Sequence, residues 1–274
     1  MSDQRETLTA NTQKGPIGRF LALPADSTPK TIFVAVVLCL VASMVVSLAA
    51  VSLRPLQQQN ALRNQQINIL QVAGLYEPGQ DVAKAFAVFE PGVLELETGR
   101  LTDKFDPATF DNRAAAKDPE LSVALTDDPA SIVRQARFVS VYILRDANGA
   151  VDKVILPIHG YGLWSTLYGY VAIEADGSTI YGLQFYQHAE TPGLGGEVDN
   201  PRWRAQWSGK SIYNDAGDVA ITISRMAPPR GQEHHIDAIS GATLTGRGVE
   251  NLVRFWMGDR GYAPFLANVR AGEI

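Results

Sequence analysis

The 274-residue chain has one cysteine, Cys39. That excludes an internal disulfide framework and any zinc or iron–sulfur centre built on several thiolates. It has no basic excess: 24 Lys+Arg stand against 29 Asp+Glu, a formal charge of −5, so no nucleic-acid partner is expected. No Gly-x-Gly-x-x-Gly follows a strand pattern and no P-loop run occurs, which disfavours both common nucleotide-binding sites. No Gly-x-Ser-x-Gly elbow supports a serine hydrolase. The four histidines make no spaced ligand set, and adjacent His234 and His235 would face apart, so no metal site is expected. Internal repeats, low-complexity tracts and βαβ alternation are also missing. With 46% hydrophobic and only 19% charged residues, the chain is not a disordered polar one.

The apolar residues it does have are unevenly spread. Thr31 to Leu53 carries no charge, and its polar side chains are Thr31, three serines and the weakly polar Cys39. A helix of this length crosses a hydrocarbon core of about 30 Å and satisfies its own backbone, as lipid requires. Lys30 and Arg54 bracket it. The competing reading, a cleaved secretory signal, expects a shorter apolar core of roughly 7–15 residues and a shorter leader, although small residues do occur around Ser47–Ala50. A retained anchor is expected. Lys14, Arg19 and Lys30 before the span outnumber Arg54 and Arg63 after it, which favours a cytoplasmic N-terminus.

Arg54-Pro55 is expected to end the span. A polar stalk helix should follow, with an apolar stripe of Leu62, Ile69, Leu70 and Val72-Ala73 and a C-cap at Gly74. A second short helix is expected around Asp81–Phe89, stopping at Glu90-Pro91-Gly92. Residues 100–130 read mainly as irregular. From Arg137 the period changes to that of strands. FVSVYILR and VDKVILPI flank Asp146–Gly149, and GYVAIEA and TIYGLQFYQH flank Asp176-Gly177, two hairpin signals. A further strand is expected at Val219–Arg225, a short helix around Trp203 and Trp207, and a helix from about Ser240. In that last helix Val249, Leu252, Val253 and Trp256 share one face, and Gly258 closes it. The expected fold class is α+β, an antiparallel sheet with flanking helices.

Three stretches could carry chemistry. In Asp237–Gly248 the hydroxyls of Ser240, Thr243 and Thr245 open a helix among small residues. This reads either as an ordinary Ser/Thr helix cap or as a phosphate-binding helix start. Glu190-Thr191-Pro192-Gly193-Leu194-Gly195-Gly196 reads as a rigid loop with exposed N–H groups, or as a strand–helix turn. His159–Ser165 is dense in glycine and aromatics; it reads as a surface for a flat ring or as a core-lining turn.

Together these residues resemble a known family. The Asp-x-x-Ser-Gly-Ala-Thr run at Asp237–Thr243 matches the motif of proteins with covalently attached FMN. Glu190–Gly195, Gly162–Ser165, Ser208–Lys210 and the tail Gly261–Leu266 are further family features, and no motif position departs from the pattern. With one span in front, the chain resembles the family of C subunits of the sodium-translocating NADH:quinone reductases. The G subunit of the Rnf complex shares the flavinylation motif, but the length and the tail favour the reductase.

The resemblance implies FMN linked by a phosphoester to Thr243, attached by a flavin transferase that recognises Asp237, Ser240, Gly241, Ala242 and Thr243. It implies cofactor contacts from Trp164, Glu190, Thr191, Gly193, Leu194, Lys210, Ser240, Gly241, Ala242, Leu244 and Thr245. It implies no catalytic residue and no metal ligand on this chain. The partners would be other subunits of a bacterial inner-membrane complex, the transferase and membrane lipid, with the FMN domain in the periplasm. The organisation would be a cytoplasmic leader (1–30), the membrane helix (31–53), a stalk and irregular part (54–130) and the FMN-binding domain (131–274). A cofactor-free anchored binding or assembly module is the competing reading.

Overall fold

A computed structural model describes residues 15–24 and 27–274; the rest of the expected leader lies outside the described residues. The chain divides into two compact units, Met1–Leu62 and Arg63–Ile274.

In the first unit, α1 spans Pro16–Leu21, and α2 begins at Thr28. The helix α2 runs Thr28–Val72 without a break, the one described helix long and apolar enough to cross a membrane. The helix does not break at Arg54-Pro55, where the apolar span is expected to end. Pro55 sits inside α2: it removes one backbone donor, but the hydrogen-bonded turns on either side carry the helix through. The expected span and the expected stalk thus fall in one helix. Its stripe is shorter than expected, because Leu62 is exposed while Ile69, Leu70, Val72 and Ala73 are buried. Gly74 ends it as expected, with φ +75°; its N–H donates to the Gln71 carbonyl (3.1 Å) and that of Leu75 to the Leu70 carbonyl (2.8 Å), a Schellman cap.

The second unit is built on a sheet. After α3 (Val82–Phe86), capped by Asp81, come β1 (Phe89–Glu95), β2 (Arg100–Leu101), α4 (Asn112–Lys117), β3 (Ser122–Ala124) and β4 (Arg134–Ala136). Then follow β5 (Phe138–Arg145), β6 (Val151–Tyr161), β7 (Thr166–Glu174) and β8 (Thr179–Gln187). A 3-10 turn (Gly195–Asp199) leads into α5 (Pro201–Ala205) and β9 (Lys210–Ser211). The chain closes with β10 (Thr222–Ser224), a 3-10 turn (Gln232–His234), β11 (His235–Asp237), α6 (Thr243–Met257) and α7 (Ala263–Ala271). The main sheet has the order β2-β1-β5-β6-β7-β8-β9, and its pairs are antiparallel.

Both expected hairpins form, and their turns show why. Asp146 Oδ1 accepts from the N–H groups of Asn148 and Ala150, with Gly149 at φ +81°; Asp176 Oδ1 accepts from Ser178 and Thr179, with Gly177 at φ +62°. Strand β5 is apolar almost throughout because both faces of the sheet are covered. Val139, Val141 and Ile143 join β6, β7 and α6 in one core, while Tyr142 and Leu144 meet Ile69, Leu70 and Val82 in the other.

Two expectations change, and the tail adds an element. The short helix ends at Phe86, and Glu90-Pro91-Gly92 lies inside β1, paired with Val141–Ile143 of β5. The strand expected at Val219–Arg225 shrinks to β10 and leaves the main sheet, pairing in parallel with β11. The tail forms α7, starting at a proline near its first turn.

Candidate functional site

Three loops converge on the carboxylate of Glu190, which is buried. Its Oε1 accepts from the backbone N–H groups of Leu163 (3.0 Å), Trp164 (2.9 Å) and Ser165 (3.3 Å). Its Oε2 accepts from the hydroxyl of Thr245 at 2.7 Å. One side chain therefore ties the β6–β7 turn, its own loop and the first turn of α6 together. Burial favours the neutral acid, but these four hydrogen bonds outweigh it and hold the carboxyl below its ordinary pKa of 4.5.

Glycines permit the close approach. A Cβ on Gly195 would lie 2.6 Å from Thr245 Oγ1 and 2.7 Å from Glu190 Oε2, and one on Gly248 would lie 2.5 Å from the Tyr161 carbonyl oxygen. Behind the loop, His188 braces both of its ends: Nδ1 accepts from the Glu190 N–H (3.2 Å), and Nε2 meets Asp199 Oδ2 at 2.9 Å. With Nδ1 accepting, the proton belongs on Nε2, pointing at Asp199. Sequence spacing carries no signal for this brace, because its partners are joined only by the loop's path.

The start of α6 bears on both readings of its hydroxyls. The N-cap is Ala242, with no side-chain capping bond, so the Ser/Thr cap is absent. The N–H groups of Thr243, Leu244 and Thr245 have no acceptor among the described residues. Of the three hydroxyls, Thr245 is fully buried and given to Glu190, whereas Ser240 and Thr243 are exposed. Gly241, at φ +73°, lets the turn pass Leu194, whose Cδ2 would lie 3.0 Å from a Cβ there. The rim of this opening is apolar and exposed: Trp164 (65%), Leu244 (54%), Leu194 (46%) and Tyr161 (45%). The His159–Ser165 turn is therefore no core-lining turn at its tip, although the ring of His159 is packed between Tyr168 and Trp256.

The remaining expected residues fall as follows. Thr191 is exposed, and its carbonyl accepts from Leu194 and Gly196, closing the loop; Gly193 has φ +74°. Asp237 is exposed at the end of β11, next to His235 (3.2 Å), while its backbone is held by Trp203 and Gln206 of the α5 segment. His234 turns instead to the Ser211 carbonyl. Lys210 lies apart from these loops. Strand β9 pairs beside Ile180 at the start of β8, and the rise from Ile180 to Gln187 is about 23 Å, so Lys210 sits at the far end of that strand from the Glu190 loop. Its ammonium donates to the Gln232 carbonyl (2.8 Å). Glu190 and Thr245 belong to the site, but as its buried tie rather than its exposed lining. Tyr161, unnamed among the expected contacts, joins the rim.

The residues present fit a phosphorylated planar cofactor: unpartnered helix N–H groups for a phosphate, an exposed hydroxyl beside them, and an apolar rim for a ring. Residues 162–258 match the FMN-binding domain family. The chain is 49% identical over 255 residues to the C subunit of the Na(+)-translocating NADH-quinone reductase of Yersinia pestis, covering 91% of this chain and 96% of that one. It is 48% identical over 257 residues to the C subunit of the Pseudomonas aeruginosa reductase, covering 90% and 98%. Among solved structures it is similar to NqrC of Shewanella oneidensis, with TM-score 0.71, 36% identity and coverage of 77% and 99%. The structure of the corresponding reductase subunit from Parabacteroides distasonis gives TM-score 0.63 at 26% identity, covering 78% and 96%.

Proposed function

The chain belongs to the family of C subunits of the Na(+)-translocating NADH-quinone reductase, and on that premise we propose that it is the membrane-anchored FMN-carrying electron carrier of such a complex. The observation that carries the reading is the open start of α6, where Thr243 stands exposed at the first helical position beside N–H groups that no side chain caps. FMN is held there through a phosphoester to Thr243 Oγ1. The helix N–H groups and dipole favour the phosphate charge. Leu194, Leu244, Trp164 and Tyr161 offer apolar surface to the ring, and the buried Glu190 fixes the three loops that present them.

A threonine hydroxyl is a weak nucleophile at neutral pH, and the groups around Thr243 provide no base: the nearby carboxylate of Glu190 is fully engaged. A flavin transferase and its metal supply the activation, reading the exposed Asp237, Ser240, Gly241 and Thr243, and the threonine oxygen displaces the leaving phosphate of a phosphoanhydride-linked flavin donor. Once bound, FMN accepts and releases electrons, and the chain supplies position and electrostatics. In the complex the carrier passes electrons between an iron–sulfur centre and a second covalent FMN, while NADH oxidation, quinone reduction and the sodium path belong to other subunits. Residues after the membrane helix lie in the periplasm and the leader in the cytoplasm.

The test is a denaturing gel viewed under ultraviolet light, after co-expression with the transferase. A fluorescent band at the mass of this chain is expected. A band without fluorescence would favour the cofactor-free anchored module.

A further inference from the structure

The short helix α5 faces two ways. On one side Trp203 Nε1 donates to the Asp237 carbonyl (2.9 Å), and Gln206 Oε1 accepts from the Asp237 N–H (2.8 Å). On another, Arg204 Nη2 donates to Gln184 Oε1 at 2.7 Å, in the middle of β8. Gln184 Nε2 donates in turn to Asn68 Oδ1 (2.9 Å) and Gln71 Oε1 (2.7 Å) at the end of α2. The rest of the guanidinium is unspent. Its Nε is buried with no partner, and no carboxylate lies within 4.0 Å of it among the described residues. Asp199, whose charge Arg204 senses, is hydrogen-bonded to His188 instead.

Arg204 lines an open cavity of about 290 Å³ with Gln71, Tyr181, Leu183 and Ser208, of which Gln71 and Ser208 are exposed. No Asp or Glu lines it, and Arg204 is the one cation in its lining; Lys153, whose ammonium lies 4.4 Å from the Tyr181 ring centroid, is paired with Asp152. The hydroxyls of Tyr181 and Ser208 and the amide nitrogen of Gln71 have no acceptor among the described residues. Against these donors stands the carbonyl of Val72 at the end of α2, an acceptor left free among the described residues in the same lining. A buried guanidinium nitrogen without an acceptor is costly, and an arriving anion would remove that cost. One cation balances one negative charge, and the planar guanidinium fork matches a carboxylate; a phosphate would call for a second cation. The volume falls just under the range of roughly 300–1,000 Å³ usual for small-molecule pockets, which suits one inserted side chain.

We infer that this cavity receives the carboxylate of an Asp or Glu side chain from a neighbouring subunit of the complex. The inference rests on the chain's place in that complex and is independent of the flavin. Docking here would engage α5, the same helix that holds the backbone of Asp237 at the flavinylation motif.

Succinate serves as the soluble probe, one of its two separated carboxylates entering and the other staying in water, in calorimetric titrations of the detergent-solubilised full-length chain. Saturable binding is expected, weakened at least tenfold by Arg204→Gln. Ser208→Leu should weaken it similarly by narrowing the cavity while leaving the Arg204–Gln184 bond intact; it decides the matter if Arg204→Gln fails to fold. Sodium sulfate at equal ionic strength should give no saturable heat. In the assembled complex succinate binding should disappear, because the partner's side chain occupies the cavity. Either variant should lose this chain from the purified complex several-fold more readily, with covalent flavin content unchanged. A free chain that ignores succinate, a complex that binds succinate as the free chain does, or variants retained like wild type would each overturn the inference.

Discussion

At the scale of single residues, three hydroxyls in one motif have three different fates. Thr245 is consumed by Glu190, Ser240 lies in the turn before the helix, and Thr243 alone is exposed within the uncapped first turn of α6. Thr243→Ala should therefore remove covalent flavin and change stability by less than about 0.5 kcal/mol, since no capping bond is lost; flavin fluorescence and chemical denaturation read the two effects separately. Glu190→Gln should behave in the opposite way. The amide nitrogen cannot accept from Thr245, and the remaining bonds lose their charge assistance, so a loss of about 1.5–3 kcal/mol is expected in denaturant titrations. Because Glu190's folded pKa is depressed, its contribution is complete above the unfolded value of 4.5 and is lost as pH falls through the folded one. His159 adds a second acid sensitivity at higher pH. Burial, assisted by the charge of Arg113, pushes its pKa down from 6.5 to about 4. Between those values the unfolded chain holds a proton that the folded one refuses, so stability should fall by up to about 3 kcal/mol as pH drops from 6.5 to 4. A wild-type stability profile that is flat over that window, or one that His159→Gln leaves unchanged, would contradict the assignment.

At the scale of elements, the site depends on α6 lying hard against the β6–β7 turn. A Cβ on Gly248 would strike the backbone at Tyr161 and Gly162, neither of which is a flexible side-chain end. Gly248→Ala should cost about 1–3 kcal/mol and lower the yield of flavinylated chain, even though alanine is the better helix former; a thermal melt unchanged from wild type would show that the contact is slack. What could be read from sequence at this scale was local. The hairpins announced themselves through Asp146, Gly149, Asp176 and Gly177, and the apolar face of α6 through its spacing. The continuation of α2 through Pro55 was not legible, because a proline's cost is local while the persistence of the helix depends on the turns on either side of it. The parallel pairing of β10 with β11 joins segments separated by a loop, and no turn signal marks such a ladder. Within the site, the motif stretches were visible but their assembly was not. Nothing in the spacing of Leu163, Glu190 and Thr245 says that one carboxylate ties all three, and Lys210, adjacent in motif terms, is carried away by strand pairing.

At the scale of the whole molecule, the orientation in the membrane rests on a thin charge bias, with Lys14, Arg19 and Lys30 before the span and Arg54 and Arg63 after it. A reporter active only outside the cytoplasm, fused after Ile274, should be active. Adding lysines after Arg54 while replacing the three leading charges should invert a fraction of the chains, and the inverted chains should carry no flavin. Flavin on chains whose C-terminal part is shown to be cytoplasmic, in cells whose transferase is periplasmic only, would contradict both the orientation and the route of maturation. The central claim, FMN carried on Thr243, is tested most directly by peptide mass spectrometry of the chain purified after co-expression with the transferase. The account predicts a peptide heavier by FMN less one water, with fragmentation placing the added mass on Thr243. A wild-type chain with no added mass, or with the mass on Ser240 or Thr245, would contradict it.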